Sequence, residues 1–115
     1  LSSPSSVRDF IFTEDLIEGY LAAIKNIKKV KGEIFNLGNG KQYRVKEVVG
    51  AVKKITKSGI KPKYGTAQKA QTEPTKWVAD ISKAKKLLRW KPKYTLEQGL
   101  KKDVEWFKQN LSRYE

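Results

Sequence analysis

Apolar positions recur at helical spacing in four stretches of the chain. Between Val78 and Lys93, Ile81, Ala84, Leu87 and Leu88 fall on one face while Lys83, Lys85, Lys86 and Arg89 take the other, which predicts a short amphipathic helix. Asp80 stands where a carboxylate can accept the backbone N–H groups that a first turn leaves unpaired, and Pro92 lies where a chain leaving a helix often carries it. A longer stripe of Leu16, Ile17, Tyr20, Leu21, Ile24 and Ile27 follows Thr13, the expected cap, with Glu14 and Asp15 at the positive end of the helix dipole. Val45, Val48, Val49, Val52 and Ile55 line a third helix, with Gly59 expected just past its end. Thr95 and Gln98 form a capping box that opens the fourth, whose expected buried stripe is Leu96, Leu100, Val104, Phe107 and Leu111 with Trp106 at its edge.

Strand signals are shorter. Phe10 to Phe12 is an aromatic and β-branched run, and Ile34, Phe35 and Leu37 form a charge-poor run such as a strand buried on both faces requires. Gly38-Asn39-Gly40 then supplies a tight turn. Its two glycines do not make a dinucleotide or phosphate loop, because no third glycine and no Lys-Ser/Thr follow at the needed spacing. Lys63 and Tyr64 suit a brief extended piece. Leu1 to Val7 reads as a loosely held end, and Gly65 to Lys76 as a long loop without periodicity. The pattern is that of one α/β domain over residues 1–115, with helices packed on a few short strands and no internal repeat.

Composition removes several kinds of chemistry. The chain of 115 residues has no cysteine and no histidine, so it offers neither a thiolate nor the usual neutral-pH acid/base group. Asp15 and Asp80 are read as structural caps, and Trp90 and Trp106 as core. The formal net charge is +13. Lysines are spread along every helix, but between Glu47 and Glu73 no acid opposes Lys53, Lys54, Lys57, Lys61, Lys63 and Lys69. We read these as solvated helix faces and keep as the alternative a stand-alone basic module that binds nucleic acid or another polyanion. No apolar run approaches the roughly 20 residues that span a bilayer, and no secretory pattern opens the chain, so a cytoplasmic protein without a membrane partner is expected. The chain opens at Leu1 and holds no methionine, and we expect it to be a portion of something longer.

Three segments carry a family resemblance. Ala79-Asp80-Ile81-Ser82-Lys83-Ala84 with Leu87-Leu88-Arg89-Trp90-Lys91-Pro92-Lys93 and Tyr94 to Leu100 is similar to the closing signature of NAD-dependent sugar-nucleotide epimerases and dehydratases, which are extended short-chain dehydrogenase/reductases. Arg8-Asp9-Phe10-Ile11-Phe12-Thr13-Glu14-Asp15-Leu16 resembles that family's RDFIYVDDV segment, and Gly32 to Gly40 resembles its GEVFNIGSG strand and turn. The matches occur in the family's order and cover nearly the whole chain.

The resemblance implies a C-terminal, substrate-binding portion. The family's TGxxGxxG turn for NAD and its Tyr-x-x-x-Lys pair do not occur: Tyr20, Tyr43, Tyr64 and Tyr94 are followed four residues later by Ile24, Glu47, Gln68 and Gln98. The expectation is that this portion alone binds no cofactor and is inactive, while a homodimeric parent uses NAD(P) bound by its own N-terminal domain. Its partners are then a nucleotide-sugar substrate and that domain, with the Phe35 strand at an edge of the parent's sheet and apolar surface left exposed. Epimerase, dehydratase and decarboxylase remain open, as do base and sugar.

Site residues follow by the same likeness. Arg8 matches the family arginine that contacts the diphosphate, a role suited to a guanidinium fork. The family's Arg-x-x-acid element falls on Ala70 and Glu73, so Glu73 is the candidate for the nucleotide ribose. Lys69, one residue from the missing arginine, could serve as a point charge. Trp77 falls where relatives place a residue beside the sugar, though an aromatic there more often packs a loop than selects a ligand.

Overall fold

The computed structural model describes residues 1, 3–65 and 75–114. In chain order the elements are β1 (Val7–Asp9), α1 (Thr13–Lys25), α2 (Ile27–Val30), β2 (Gln42–Arg44), α3 (Val45–Thr56), α4 (Ser82–Leu88), α5 (Leu96–Gln109) and a 3-10 turn, Leu111–Arg113. β1 and β2 pair antiparallel with Val7 opposite Arg44, Arg8 opposite Tyr43 and Asp9 opposite Gln42. The α/β class with helices on short strands is therefore observed. No helix among the described residues is long and apolar enough to cross a membrane.

The core is small and centred on α4. Val30, Ile81, Ala84, Leu88 and Trp90 are buried together, with Ile11, Ala22, Ala23, Phe35, Leu37 and Ala79 packed against them. Ile81, Ala84 and Leu88 are three of the four positions in the predicted stripe; Leu87 stays 40% exposed. Ile81, not Asp80, holds the cap position of α4, without a side-chain bond; Asp80, one residue earlier, still accepts the first helical N–H, that of Ser82, at 2.9 Å through Oδ1. Trp90 is core as read, and its indole Nε1 donates to Asp15 O at 2.9 Å. The capping box of α5 is also present, with Gln98 N donating to Thr95 Oγ1 at 3.3 Å and Thr95 N to Gln98 Oε1 at 2.9 Å.

Several elements differ from the sequence pattern. Thr13 is the first helical residue of α1 and not its cap; Phe12 holds the cap position without a side-chain bond. Asp15 caps nothing in its own helix. It is buried, and its two carboxylate oxygens accept the N–H groups of Lys93 at 2.8 Å and Tyr94 at 3.1 Å, tying α1 to the segment before α5. The packed side of α1 is the small-residue side: Ala22 and Ala23 pack against the core, and a Cβ at Gly19 would lie 2.7 Å from Leu37 Cδ1 and 3.4 Å from Trp90 Cε2. Its large residues Ile17, Tyr20, Leu21 and Ile24, and Ile27 at the start of α2, are 50–66% exposed.

Neither predicted strand forms. Phe10 to Phe12 lies beyond the ladder, which ends at the Asp9–Gln42 pair. Phe12 instead meets Tyr94 edge-on at 4.9 Å between ring centroids. Residues 33–37 have no ladder partner among the described residues, and Ile34 is 83% exposed while Phe35 and Leu37 pack inward. A strand needs a neighbour to satisfy its backbone.

The first residues are held, contrary to the loose end expected. Ser6 O and Pro4 O accept the N–H groups of Val45 and Lys46, two donors that the first turn of α3 cannot satisfy internally. Lys57, at φ 53°, ends α3 in the left-handed conformation in place of Gly59. Lys63 and Tyr64 lie in no assigned strand, although Lys63 O accepts from the Leu1 amino group. Trp106 is 42% exposed, not core, and stacks edge-on against Phe107 in a surface group with Tyr114. Phe107 and Leu111 are likewise exposed, because α5 meets α3 through its first turns.

Candidate functional site

The organising group of the site is the Asp9 carboxylate at the end of β1. Its Oδ1 accepts the Asn39 N–H at 2.7 Å, and its Oδ2 accepts those of Gly40 at 3.0 Å and Ala79 at 3.1 Å. Bonds to an ionised acceptor are the strong kind, and here they join β1, the glycine turn and the approach to α4. A Cβ at residue 38 would lie 2.6 Å from Ala79 Cβ and 2.8 Å from Asp9 Oδ2, so glycine is what lets these segments meet. Gly40, at φ +77°, completes the turn. Because Asp9 already occupies the turn's amides, the glycine pair is not a waiting phosphate loop, in agreement with its reading as a turn.

Opposite Asp9, Gln42 reaches the same segment. Its Oε1 accepts the Trp77 N–H at 3.1 Å, and its Nε2 stands 3.5 Å from Thr75 O, long for a hydrogen bond. Asp9, Gly38, Trp77, Ala79 and Asp80 line an open cleft of about 580 Å³, with Lys76 on its rim and Phe35 and Leu37 in its wall. Trp77 is 52% exposed, and the Arg8 guanidinium carbon sits 5.1 Å from its ring centroid, a cation–π distance. Arg8 Nη1 also donates to its neighbour's carbonyl, Val7 O, at 2.6 Å. Hydrogen bonding to Ser82, through its side chain and then its backbone, holds the Asp80 carboxyl below its usual range.

Of the sequence-derived candidates, the structure brings Arg8 and Trp77 together, and Trp77 lines the cleft. Lys69 and Glu73 lie outside the described residues. Asp9, Gln42 and Lys76 were not singled out from sequence. The only signal for Asp9 was its position beside Arg8 in the RDFI segment; Gln42 had none, since strand pairing created its role. Among the described residues no group of three or more carboxylates could hold a metal ion. The site as described offers a cationic fork, an aromatic face and ordered backbone, which suit binding and orientation of an anion bearing a ring rather than proton transfer.

Comparison with known proteins agrees with this geometry. The family model for GDP-mannose 4,6 dehydratase matches residues 2–103. UDP-glucuronate 4-epimerase of Thermodesulfobacterium geofontis is 37% identical over 108 residues, covering 93% of this chain and 32% of that protein. Among solved structures, UDP-glucose 4-epimerase of Thermotoga maritima with UDP-glucose is similar at TM-score 0.82 and 34% identity, covering 95% of this chain and 34% of that one. UDP-glucuronic acid 4-epimerase of Bacillus cereus in complex with NAD is similar at TM-score 0.81 and 29% identity, covering 96% and 33%. The chain thus spans about a third of the length of the relatives it matches. It belongs to the GDP-mannose 4,6 dehydratase family, among the NAD-dependent epimerases and dehydratases of the extended short-chain dehydrogenase/reductases.

Proposed function

We propose that this chain is the C-terminal, nucleotide-sugar-binding part of an NAD-dependent sugar-nucleotide epimerase or dehydratase. The observation that carries the reading is the Arg8–Trp77 pair: a guanidinium 5.1 Å from the ring centroid of a tryptophan that lines the cleft. In this reading Arg8 takes the diphosphate, Trp77 lies beside the sugar, Glu73 contacts the ribose and Lys69 adds charge near the phosphates. The cofactor and the tyrosine and lysine of proton transfer belong to the remaining two thirds of the protein. Separated from them, the chain binds no NAD and catalyses nothing.

Two surfaces support a dependence on that remainder. The bare side of α1 presents Ile17, Tyr20, Leu21 and Ile24, continued by Ile27 of α2, as one apolar stripe, and residues 33–37 show the alternation of a strand without its neighbour. Both are what an element looks like when its covering partner lies elsewhere.

The test is calorimetric titration of the full-length protein with UDP-glucose, UDP-glucuronate and GDP-mannose. At least one binds, and Arg8→Ala weakens it by about 10- to 100-fold, the worth of charge-assisted bonds to a phosphate. Binding that is unchanged in Arg8→Ala, or no binding of any of the three, overturns the reading. Affinity for a polyanion that falls steeply with salt, without preference for a nucleotide sugar, would instead favour the basic module.

A further inference from the structure

We propose that Asp9 and Gln42 form a two-point clamp on the backbone of the Trp77 segment, and that this clamp positions Trp77 for ligand binding. The inference rests on the nucleotide-sugar reading for its functional consequence, but the clamp itself stands on geometry. The two residues are direct partners across the β1–β2 ladder, and directly opposed side chains leave a two-stranded ribbon on the same face. Both accept backbone N–H groups from one short segment, Gln42 from Trp77 at 3.1 Å and Asp9 from Ala79 at 3.1 Å. The side chains of one opposed pair on the ribbon thus accept two main-chain N–H groups of a segment that has no ladder of its own.

Residues 75–81 lie in no helix or strand, so no ladder fixes them. Trp77 is 52% exposed, and burial alone does not fix its ring either. The clamp supplies what packing does not. It fixes the main chain of residues 77 and 79 against the Asp9–Gln42 pair, and thereby the root of the indole that meets the Arg8 guanidinium. Gln42 and Asp9 are positioning residues in this scheme: neither needs to touch the ligand, and each acts through the main chain of residues 77 and 79.

Gln42 is the better position to test, because it is exposed and its truncation opens no buried gap. The experiment uses the full-length protein carrying 5-fluorotryptophan, with the Trp77 fluorine resonance assigned by its loss in Trp77→Phe. Gln42→Ala is expected to shift or broaden the Trp77 resonance and leave that of buried Trp90 in place. It should weaken the tightest-binding of UDP-glucose, UDP-glucuronate and GDP-mannose by about 3- to 10-fold, the net worth of one hydrogen bond. In turnover the loss should appear in KM, with kcat within about twofold of wild type, since the bond changes placement of the bound ligand rather than the reacting groups. A Trp77 resonance that stays put overturns the clamp whether or not a nucleotide sugar binds. A resonance that moves while affinity holds overturns its role in positioning for the ligand. Wild-type protein that binds none of the three overturns the function proposed above, and the clamp then stands or falls on the resonance.

Discussion

At the scale of single residues, carboxylates that accept main-chain N–H groups join segments far apart in the chain. Asp15 is the most consequential for stability, because it is buried and its donors, Lys93 and Tyr94, come from a segment far along the chain. Removing it leaves those donors without an acceptor. Asp15→Ala is expected to destabilise the protein by about 2–4 kcal/mol, and Asp15→Asn, which keeps one acceptor, by about half as much, as read from urea unfolding. Lys57 is the opposite case. It pays the steric penalty of a left-handed conformation at the end of α3, so Lys57→Gly should stabilise by about 0.5–1 kcal/mol in the same measurement.

A surface group gives the pH dependence. Tyr94 and then Lys102 hydrogen-bond to Glu14 and lower its pKa from the usual 4.5, while the contacts of Lys102 with Glu14 and then Tyr94 raise its own from 10.5. The lowered carboxyl contributes stability above pH 4.5 that is lost as the pH falls through its folded value. The raised ammonium contributes stability below pH 10.5 that is lost as the pH rises through its own. Burial raises the pKa of Asp103, so its protonation works against the Glu14 loss in acid. Melting temperature measured against pH should therefore fall on the acid side less steeply in Glu14→Gln than in wild type, and a parallel acid limb would show that the group contributes nothing. None of this was visible in sequence, where Glu14 reads as a helix-dipole residue and its partners lie elsewhere in the chain.

At the scale of elements, periodicity located all four main helices but not the partners of their faces. The α4 stripe is buried because Ile81, Ala84 and Leu88 meet the small residues of α1. The α1 stripe is as regular, and it stays bare because only the Gly19, Ala22 and Ala23 side is covered. An amphipathic pattern states that a face is apolar; which neighbour covers it is a tertiary fact. The strands were misplaced for a related reason. Val7 to Asp9 pairs because β2 lies beside it, whereas Phe35 and its neighbours, with higher strand propensity, have no ladder partner in the described chain. The bare α1 face predicts that the 115-residue chain self-associates with rising concentration. Leu21→Lys with Ile24→Glu should abolish that in sedimentation velocity without lowering the melting temperature, since both positions are exposed. Unchanged association would place the contact elsewhere.

At the scale of the whole molecule, the chain spans about a third of the length of the relatives it matches. Within that third, Arg8 meets the Trp77 ring and Trp77 lines a cleft braced by Asp9. Arg8 and Trp77 were singled out in the sequence because the family resemblance placed them, and the structure sets them in contact. Asp9 and Gln42 were not, because their roles arise only when two strands pair. The most direct measurement is to sequence the coding DNA immediately upstream of Leu1. A TGxxGxxG turn and a Tyr-x-x-x-Lys pair in the same reading frame are the predicted result, and would join this site to an NAD-binding domain. A start codon directly before Leu1 would contradict it, leaving a site with no cofactor to serve.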